Sequence, residues 1–161
     1  MAWAKGRHPG GRPPYSIHGP LARRGEARNP SSQTICLTDV FATIAQIQGI
    51  ALTDTMGEDS VSLLNILTGK QRGAAREAVV HHSASGVFAI RQGDWKLVLG
   101  RGSGGFSAPV KIVPKPGEPT VELYNLLNDP HEDHNVYDAN PKIVARLTAL
   151  LQRYQDAGHS R

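Results

Sequence analysis

The stretch REAVVHHSASGVFAIRQGDWKLVLGRGSGG (76–105), followed after a short interval by TVELYNLLNDPHEDHNV (120–136), decides the fold. Three runs within it have β character, at 78–83, 87–91 and 95–100. They are separated by Ala84-Ser85-Gly86 and Gln92-Gly93-Asp94, spacers short enough for hairpins, so they read as an antiparallel meander. The interval 101–119 holds eight Gly or Pro and reads as a long flexible loop. A fourth strand is expected at 121–124, and Asn128-Asp129-Pro130 supplies the turn after it.

Helices flank the strands. On the C-terminal side Asn140 is expected to cap a helix over 141–155, with Pro141 at its first position. Ile143, Val144, Leu147, Leu150, Leu151 and Tyr154 then fall on one apolar stripe, and Gly158 ends the pattern. On the N-terminal side Thr38 and Asp39 open a helix over 38–48. Val40, Phe41, Ile44, Ala45 and Ile47 recur there at helical spacing before Gly49. A second short helix is expected at 60–68, capped by Asp59 or Ser60, with Val61, Leu64 and Leu67 on one side. The expected architecture is α+β, a small four-stranded antiparallel sheet with helices against one face. No internal repeat is visible.

Composition bounds the rest. A chain of 161 residues has room for one modest domain and a tail, and 39% hydrophobic with 20% charged residues is ordinary for a globular fold. No run nears the roughly 18 apolar residues that would span a bilayer, so no membrane association is expected. The first sixteen residues have no apolar core of the kind a secretion signal needs, and the compartment stays open. A single cysteine, Cys36, excludes an internal disulfide. The net charge of +4 is uneven: residues 1–30 carry six Lys or Arg against Glu26 alone, and the remainder of the chain is near neutral. Residues 1–32, rich in Gly, Pro, Arg and Ser, read as a disordered basic arm, and such an arm points to a polyanion partner.

Four segments in order carry a resemblance. QTICLTDVFATIAQIQG (33–49) is similar to the "SLTDLFATLADL" helix of bacterial arylsulfatase-like enzymes, the type I sulfatases of the alkaline-phosphatase superfamily. GEDSVSLLNIL (57–67) is similar to the piece that follows it there. IRQGDWKL (90–97) resembles that family's "R-x-G-x-W-K-L" hairpin end. Glu122–Leu126 with Asp129, Pro130, Glu132 and Asn135 resembles its "ELYNL-x-x-D-P-x-E-x-x-N" close. The match runs over about 33–155 and identifies 33–158 as the C-terminal region of such an enzyme, beside an α/β catalytic core.

The resemblance implies a parent reaction, sulfate-ester hydrolysis by an enzyme-made formylglycine beside a divalent cation, usually calcium, with a sulfated substrate. Little of that machinery is expected here. Cys36 sits in Thr-Ile-Cys-Leu-Thr, without the downstream Pro and Arg of the maturation motif, and reads as a helix-entry or core cysteine. No Asp-Asp or Asp-Asn dipeptide of the metal-binding kind occurs. The pair Glu58-Asp59 reads as a helix cap, and 129–133 as a solvated turn. No catalytic residue, no metal ligand and no cofactor bound by this chain alone are expected.

The family segment due before Gln33 is not visible in residues 1–30, but a shift of one nucleotide offers it. With permitted wobble choices those codons become WHGRKAGIREGGHRIPFMVRWPGEVKPGT, which resembles that segment. Residues 1 to about 31 are thus expected to be an out-of-frame reading of sulfatase DNA. The basic arm then has no selected function, and no nucleic-acid partner is expected.

Individual side chains carry competing readings. His81 and His82 are the candidates for a substrate pocket, as donor or acid; against this, strand alternation sends one inward and the other to solvent. Trp95 is expected to pack on a helix and Lys96 to sit in water. His131 and His134 flank acidic residues, a metal-like spacing that equally suits a solvated turn. Arg91 either pairs with a carboxylate of the catalytic core or edges the hairpin. Gly102-Ser103-Gly104-Gly105 lacks the strand–loop–helix setting and the lysine of a phosphate loop. The expected function is therefore a sulfatase C-terminal fragment, inactive alone, whose partner is the sulfatase catalytic core. A non-catalytic module that joins a separate core is the alternative, and a basic nucleic-acid binder a distant third.

Overall fold

The structure, a computed structural model, describes residues 33–105 and 107–161. The basic arm and the reading-frame argument fall outside the described residues. Those described divide into two compact units, 33–77 with His159–Arg161, and Ala78–Gly158.

In the first unit, α1 spans Asp39–Ile47 and α2 spans Leu64–Leu67. Residues 57–63 lie along α1 and are bonded to it by side chains. The Ser60 hydroxyl donates to Thr38 O and accepts from Ala42 N, Val61 N donates to Asp39 Oδ1, and Leu63 N donates to Thr43 Oγ1. This wiring is why α2 begins at Leu64 rather than near 60. Ser60 spends its hydrogen-bonding capacity on α1, Asp59 accepts from Ser160 N, and the N-cap position of α2 falls to Leu63, which has no capping side chain. Thr38 holds the N-cap position of α1 without a side-chain cap bond, because its hydroxyl donates to Asp59 O instead.

The apolar spacing of α1 does not mark a buried face. Asp39, Ala42, Thr43 and Ala45 are buried, whereas Val40, Phe41, Ile44 and Ile47 are exposed. The inward side is set by the polar network, which Asp39 and Thr43, four residues apart on one helix side, can both reach.

The second unit is built on one antiparallel sheet of β1 (Val79–His82), β2 (Phe88–Gln92), β3 (Trp95–Val98) and β4 (Glu122–Asn125), in that order. The β2–β3 connection is only Gly93-Asp94, since Gln92 pairs with Trp95. Gly93 takes φ 58°, the left-handed value a two-residue hairpin asks of its first loop residue.

Register puts Val80, Ile90, Leu97 and Leu123 in one cross-strand row. Against that row packs α3 (Pro141–Ala157) through Leu147, Leu150 and Leu151, with Trp95, Ile143, Val144 and Tyr154 around them. The α3 stripe read from the sequence is thus the face that meets the sheet. Asn140 stands at the N-cap, but its side-chain amide donates to Val136 O and makes no cap bond. The opposite sheet face buries a second, smaller cluster of Ala89, Val98 and Tyr124. Among the described residues no helix is long and apolar enough to cross a membrane.

Candidate functional site

The sheet face opposite α3 concentrates the chemistry of the second unit. One cross-strand row there is Val79, Arg91, Lys96 and Tyr124, and the next is His81, Ala89, Val98 and Glu122. Strand alternation places five polar or ionisable side chains on this face, but does not leave them in water. Lys96 is 7% exposed, not solvated as expected, because Glu132 from the turn beyond β4 folds back and pairs with its ammonium. Glu132 adopts φ 59° to do so, an uncommon backbone state for a non-glycine residue. Burial lowers the Lys96 pKa to about 8 despite the attraction of Glu132. Tyr124 is buried beside Glu122, and both burial and that carboxylate push its hydroxyl well above the ordinary range.

His81 stands half-buried on the same face. Burial, then the positive charge of Lys96, lowers its pKa to about 4, so it is neutral at physiological pH. His82 points the other way, exposed, its ring edge-on to Phe88 at 6.0 Å between centroids, with Nδ1 3.0 Å from Ser83 O. The two adjacent histidines therefore lie on opposite faces of β1 and do not converge on one ligand. Arg91 edges its hairpin, with Nε donating to Gly93 O at 3.0 Å.

The loop 101–119, expected to be flexible, is tied down. Ser103 N donates to Pro109 O, Gly104 N to Val110 O, and Ile112 N to Arg101 O. Ser85 donates to Gly104 O from its hydroxyl at 3.1 Å, which fastens the loop to the β1–β2 turn. Gly104 is required there. Its φ is 62°, and a Cβ would stand 2.6 Å from that of Ser83. A shallow hollow lined by Ser83, Val87, Val98, Arg101 and Ser103 results. Arg101 pairs through Nη1 with Glu118 at 2.6 Å, while its Nε is buried without a partner.

The turn 129–134 is organised by Asp129. Its two oxygens accept from Asp133 N and His134 N; burial opposes ionisation, but these N–H groups outweigh it and lower the pKa. His134 is 84% exposed on its side chain and 3.7 Å from Asp129. Asn135 closes the turn, with Oδ1 accepting from Leu123 N and Tyr137 N. Cys36 is half-buried ahead of α1, where its backbone N–H donates to Asp39 Oδ2.

A hard divalent cation needs several converging oxygen ligands. Among the described residues no three His, Cys, Asp or Glu are gathered to hold a metal. The carboxylates of Asp39, Asp129, Glu118 and Glu132 are each engaged with backbone N–H groups, Arg or Lys. These four carboxylates do not form the converging oxygen set that calcium needs. Reasoning from sequence overlooks the two long-range ion pairs, Asp39–Arg76 and Lys96–Glu132. The available signal is their position: each joins one resemblance-bearing segment to another part of the chain.

No family model matches the chain. An N-acetylgalactosamine-6-O-sulfatase of Bacteroides thetaiotaomicron is 30% identical over 114 residues, which are 71% of this chain and 22% of that protein. A solved structure from the core genetic locus for metabolism of multiple glycosaminoglycans in the same organism is 28% identical. It has a TM-score of 0.58 and is matched over 73% of this chain and 24% of its own. A third protein, solved with its substrate D-glucosamine-2-N,6-O-disulfate, shares the fold at 21% identity and TM-score 0.50, with 71% of this chain and 22% of that one covered. The chain spans about a quarter or less of the length of these relatives.

Proposed function

We propose that this chain, a sulfatase-like fragment by sequence and fold, is a non-catalytic support module for the catalytic portion of a sulfate-ester hydrolase. The observation that carries this reading is where the resemblance-bearing residues spend their side chains. Asp39, Thr43 and Ser60 bind one another's segments, Lys96 binds Glu132, and Asn135 stitches β4 to the following turn. These motifs build a scaffold. Rate enhancement in sulfate transfer needs a nucleophile and a cationic clamp on the developing charge, and those belong to the partner portion, with its calcium and formylglycine. The module joins that portion either within one polypeptide or as a separate chain.

The curated relative directs the choice of substrate toward a 6-O-sulfated N-acetylgalactosamine. The test is turnover by the purified chain, with calcium present, on that sugar and on a chromogenic aryl sulfate. The expected rate equals that of buffer. Turnover above it that survives repurification overturns the reading.

A further inference from the structure

Eight consecutive residues, 67–74, are exposed, the longest such run among the described residues. They leave the end of α2 and lead to Arg76, whose side chain is buried again. Past Gly69 the run has no regular structure, and it carries two cations, Lys70 and Arg72. Its first half is tethered. Gly69 N donates to Ile66 O and Gln71 N to Asn65 O, both at 3.0 Å, and the Gln71 amide donates to Ala74 O at 2.9 Å. Beyond Gln71, among the described residues, nothing accepts from the backbone N–H groups of Arg72, Gly73 and Ala74. A Cβ at Gly73 would meet nothing within 4 Å. The Arg72–Gly73 bond therefore stands clear of the fold, with N–H groups on either side that another chain can pair with.

The other basic residues of 33–161 offer no such bond. Arg76 and Lys96 are buried, Arg91 lies within β2, and Lys142, Arg146 and Arg153 lie within α3. Arg101 pairs with Glu118, and the N–H that follows Lys111, that of Ile112, donates to Arg101 O. Lys115 is followed by Pro116, a bond that trypsin-type enzymes do not cut. Lys70 is exposed, but the N–H after it is the one bound to Asn65 O. Exposed irregular backbone with small residues is where endopeptidases act, and a cation ahead of the cut suits an acidic S1 pocket.

We propose that Arg72–Gly73 is a cleavage site for a trypsin-like endopeptidase, and that the cut chain remains one particle. Hydrolysis consumes one water: the C–N bond breaks, the carboxylate stays on Arg72, and the Gly73 nitrogen becomes a new amino terminus. Cohesion follows from which side of the cut the braces lie. Arg76 and residues 159–161 travel with the C-terminal piece, yet they belong to the first unit. Arg76 Nη1 sits 2.8 Å from Asp39 Oδ1, Ser160 N donates to Asp59 Oδ1 at 2.9 Å, and Arg161 Nη2 donates to Thr53 O at 2.6 Å. Parting the pieces would strip a buried carboxylate of its guanidinium, which is costly. The cut removes a covalent link and leaves the contacts that close the unit. None of this rests on the support-module reading.

The test is brief digestion of the full chain with a trace of trypsin at neutral pH, followed by intact mass. Cuts ahead of Gln33 do not count, since the readout is the fragment that starts at Gly73. That fragment is the expected first product within 33–161, and it should co-elute with its N-terminal partner on gel filtration until urea is added. Arg72→Gln, at an exposed position, should slow its release at least tenfold without moving the melting temperature. After cutting, a chain that ends at Gly158 should come apart at lower urea than the cut parent. Arg161→Ala, the milder change, should shift the same way. A first cut at any other bond of 33–161, or an Arg72→Gln rate equal to the parent's, overturns the cleavage site. Pieces that part without urea, or tail variants that part at the parent's urea concentration, overturn the account of what holds the cut chain.

Discussion

Arg76 reaches back across 37 residues to place Nη1 2.8 Å from Oδ1 of Asp39, and the two side chains are 3% and 0% exposed. The same carboxylate accepts from Cys36 N and Val61 N, so one buried charge organises the entry to α1 and the 57–63 segment. Arg76 Nη2 donates further to Asp59 O and Ser160 Oγ. Removing one partner of such a pair leaves the other charged and dry. Arg76→Ala is expected to cost about 3–5 kcal/mol. Asp39→Asn keeps the shape but leaves the buried Arg76 guanidinium without its anion and turns an amide N–H toward a donor, so it is expected to cost at least as much. Urea unfolding followed by circular dichroism checks both; a much smaller cost for Asp39→Asn would contradict the assignment of Asp39 as the hub.

Lys96 and Glu132 form the equivalent pair of the sheet unit. Glu132→Ala is expected to cost about 3 kcal/mol, because it takes the ion-pair partner from a buried ammonium. The double substitution Lys96→Met with Glu132→Gln removes both charges together and should cost less than Glu132→Ala alone. A double-mutant cycle reads the coupling directly. Simple addition of the two single costs would show that the pair is not coupled.

His81 gives the sheet unit a pH dependence. Its folded pKa of about 4 lies below the ordinary 6.5, through burial first and Lys96 second. Between these values the unfolded chain binds more protons than the folded one, so stability is lost as pH falls from about 6.5 to about 4. Carboxylates such as Asp129 add to acid loss at the lower end. The His81 share is therefore read as a difference. The melting temperature of His81→Gln should fall less between pH 7 and pH 4.5 than that of the parent chain, and parallel curves would remove His81 from the account.

Gly104 sets the loop 101–119 on the β1–β2 turn. Gly104→Ala forces a side chain onto a left-handed backbone, at about 1–2 kcal/mol, and drives its Cβ to 2.6 Å from that of Ser83. The expected result is faster proteolysis within 101–119 with little change in the sheet's circular dichroism. Adding Ser83→Gly removes the opposing Cβ and should restore part of the protection, whereas Ser83→Ala should restore none.

Much of this fold is written in local pattern. The α3 stripe of Leu147, Leu150 and Leu151 is read from helical spacing alone, and the structure places it on the sheet. The strands and the antiparallel order follow from β-rich runs and short spacers, although Gln92, read as part of the spacer, ends β2 and leaves Gly93-Asp94 as the connection. The same pattern misleads at α1, where Val40, Phe41, Ile44 and Ile47 mimic a core stripe although the buried side belongs to Asp39 and Thr43. It misleads again at Lys96, which alternation assigns to the face opposite α3 without revealing that Glu132 closes over it. At the candidate site strand alternation already separates His81 from His82, and the sheet sets them on opposite faces of β1.

By itself the sequence determined the family resemblance, the four-stranded meander, the helix that covers it, and the chemistry expected of the parent enzyme. The meander and its helix follow from spacing and turn residues, which act over a few positions at a time, while the parent chemistry is what the resemblance implies. Only the tertiary structure decided that the resemblance-bearing polar residues are spent on holding the fold. That outcome depends on which charges meet across more than thirty residues and are then shut away from water. There the cost of leaving either one unpaired fixes the pairing, and no local pattern records it.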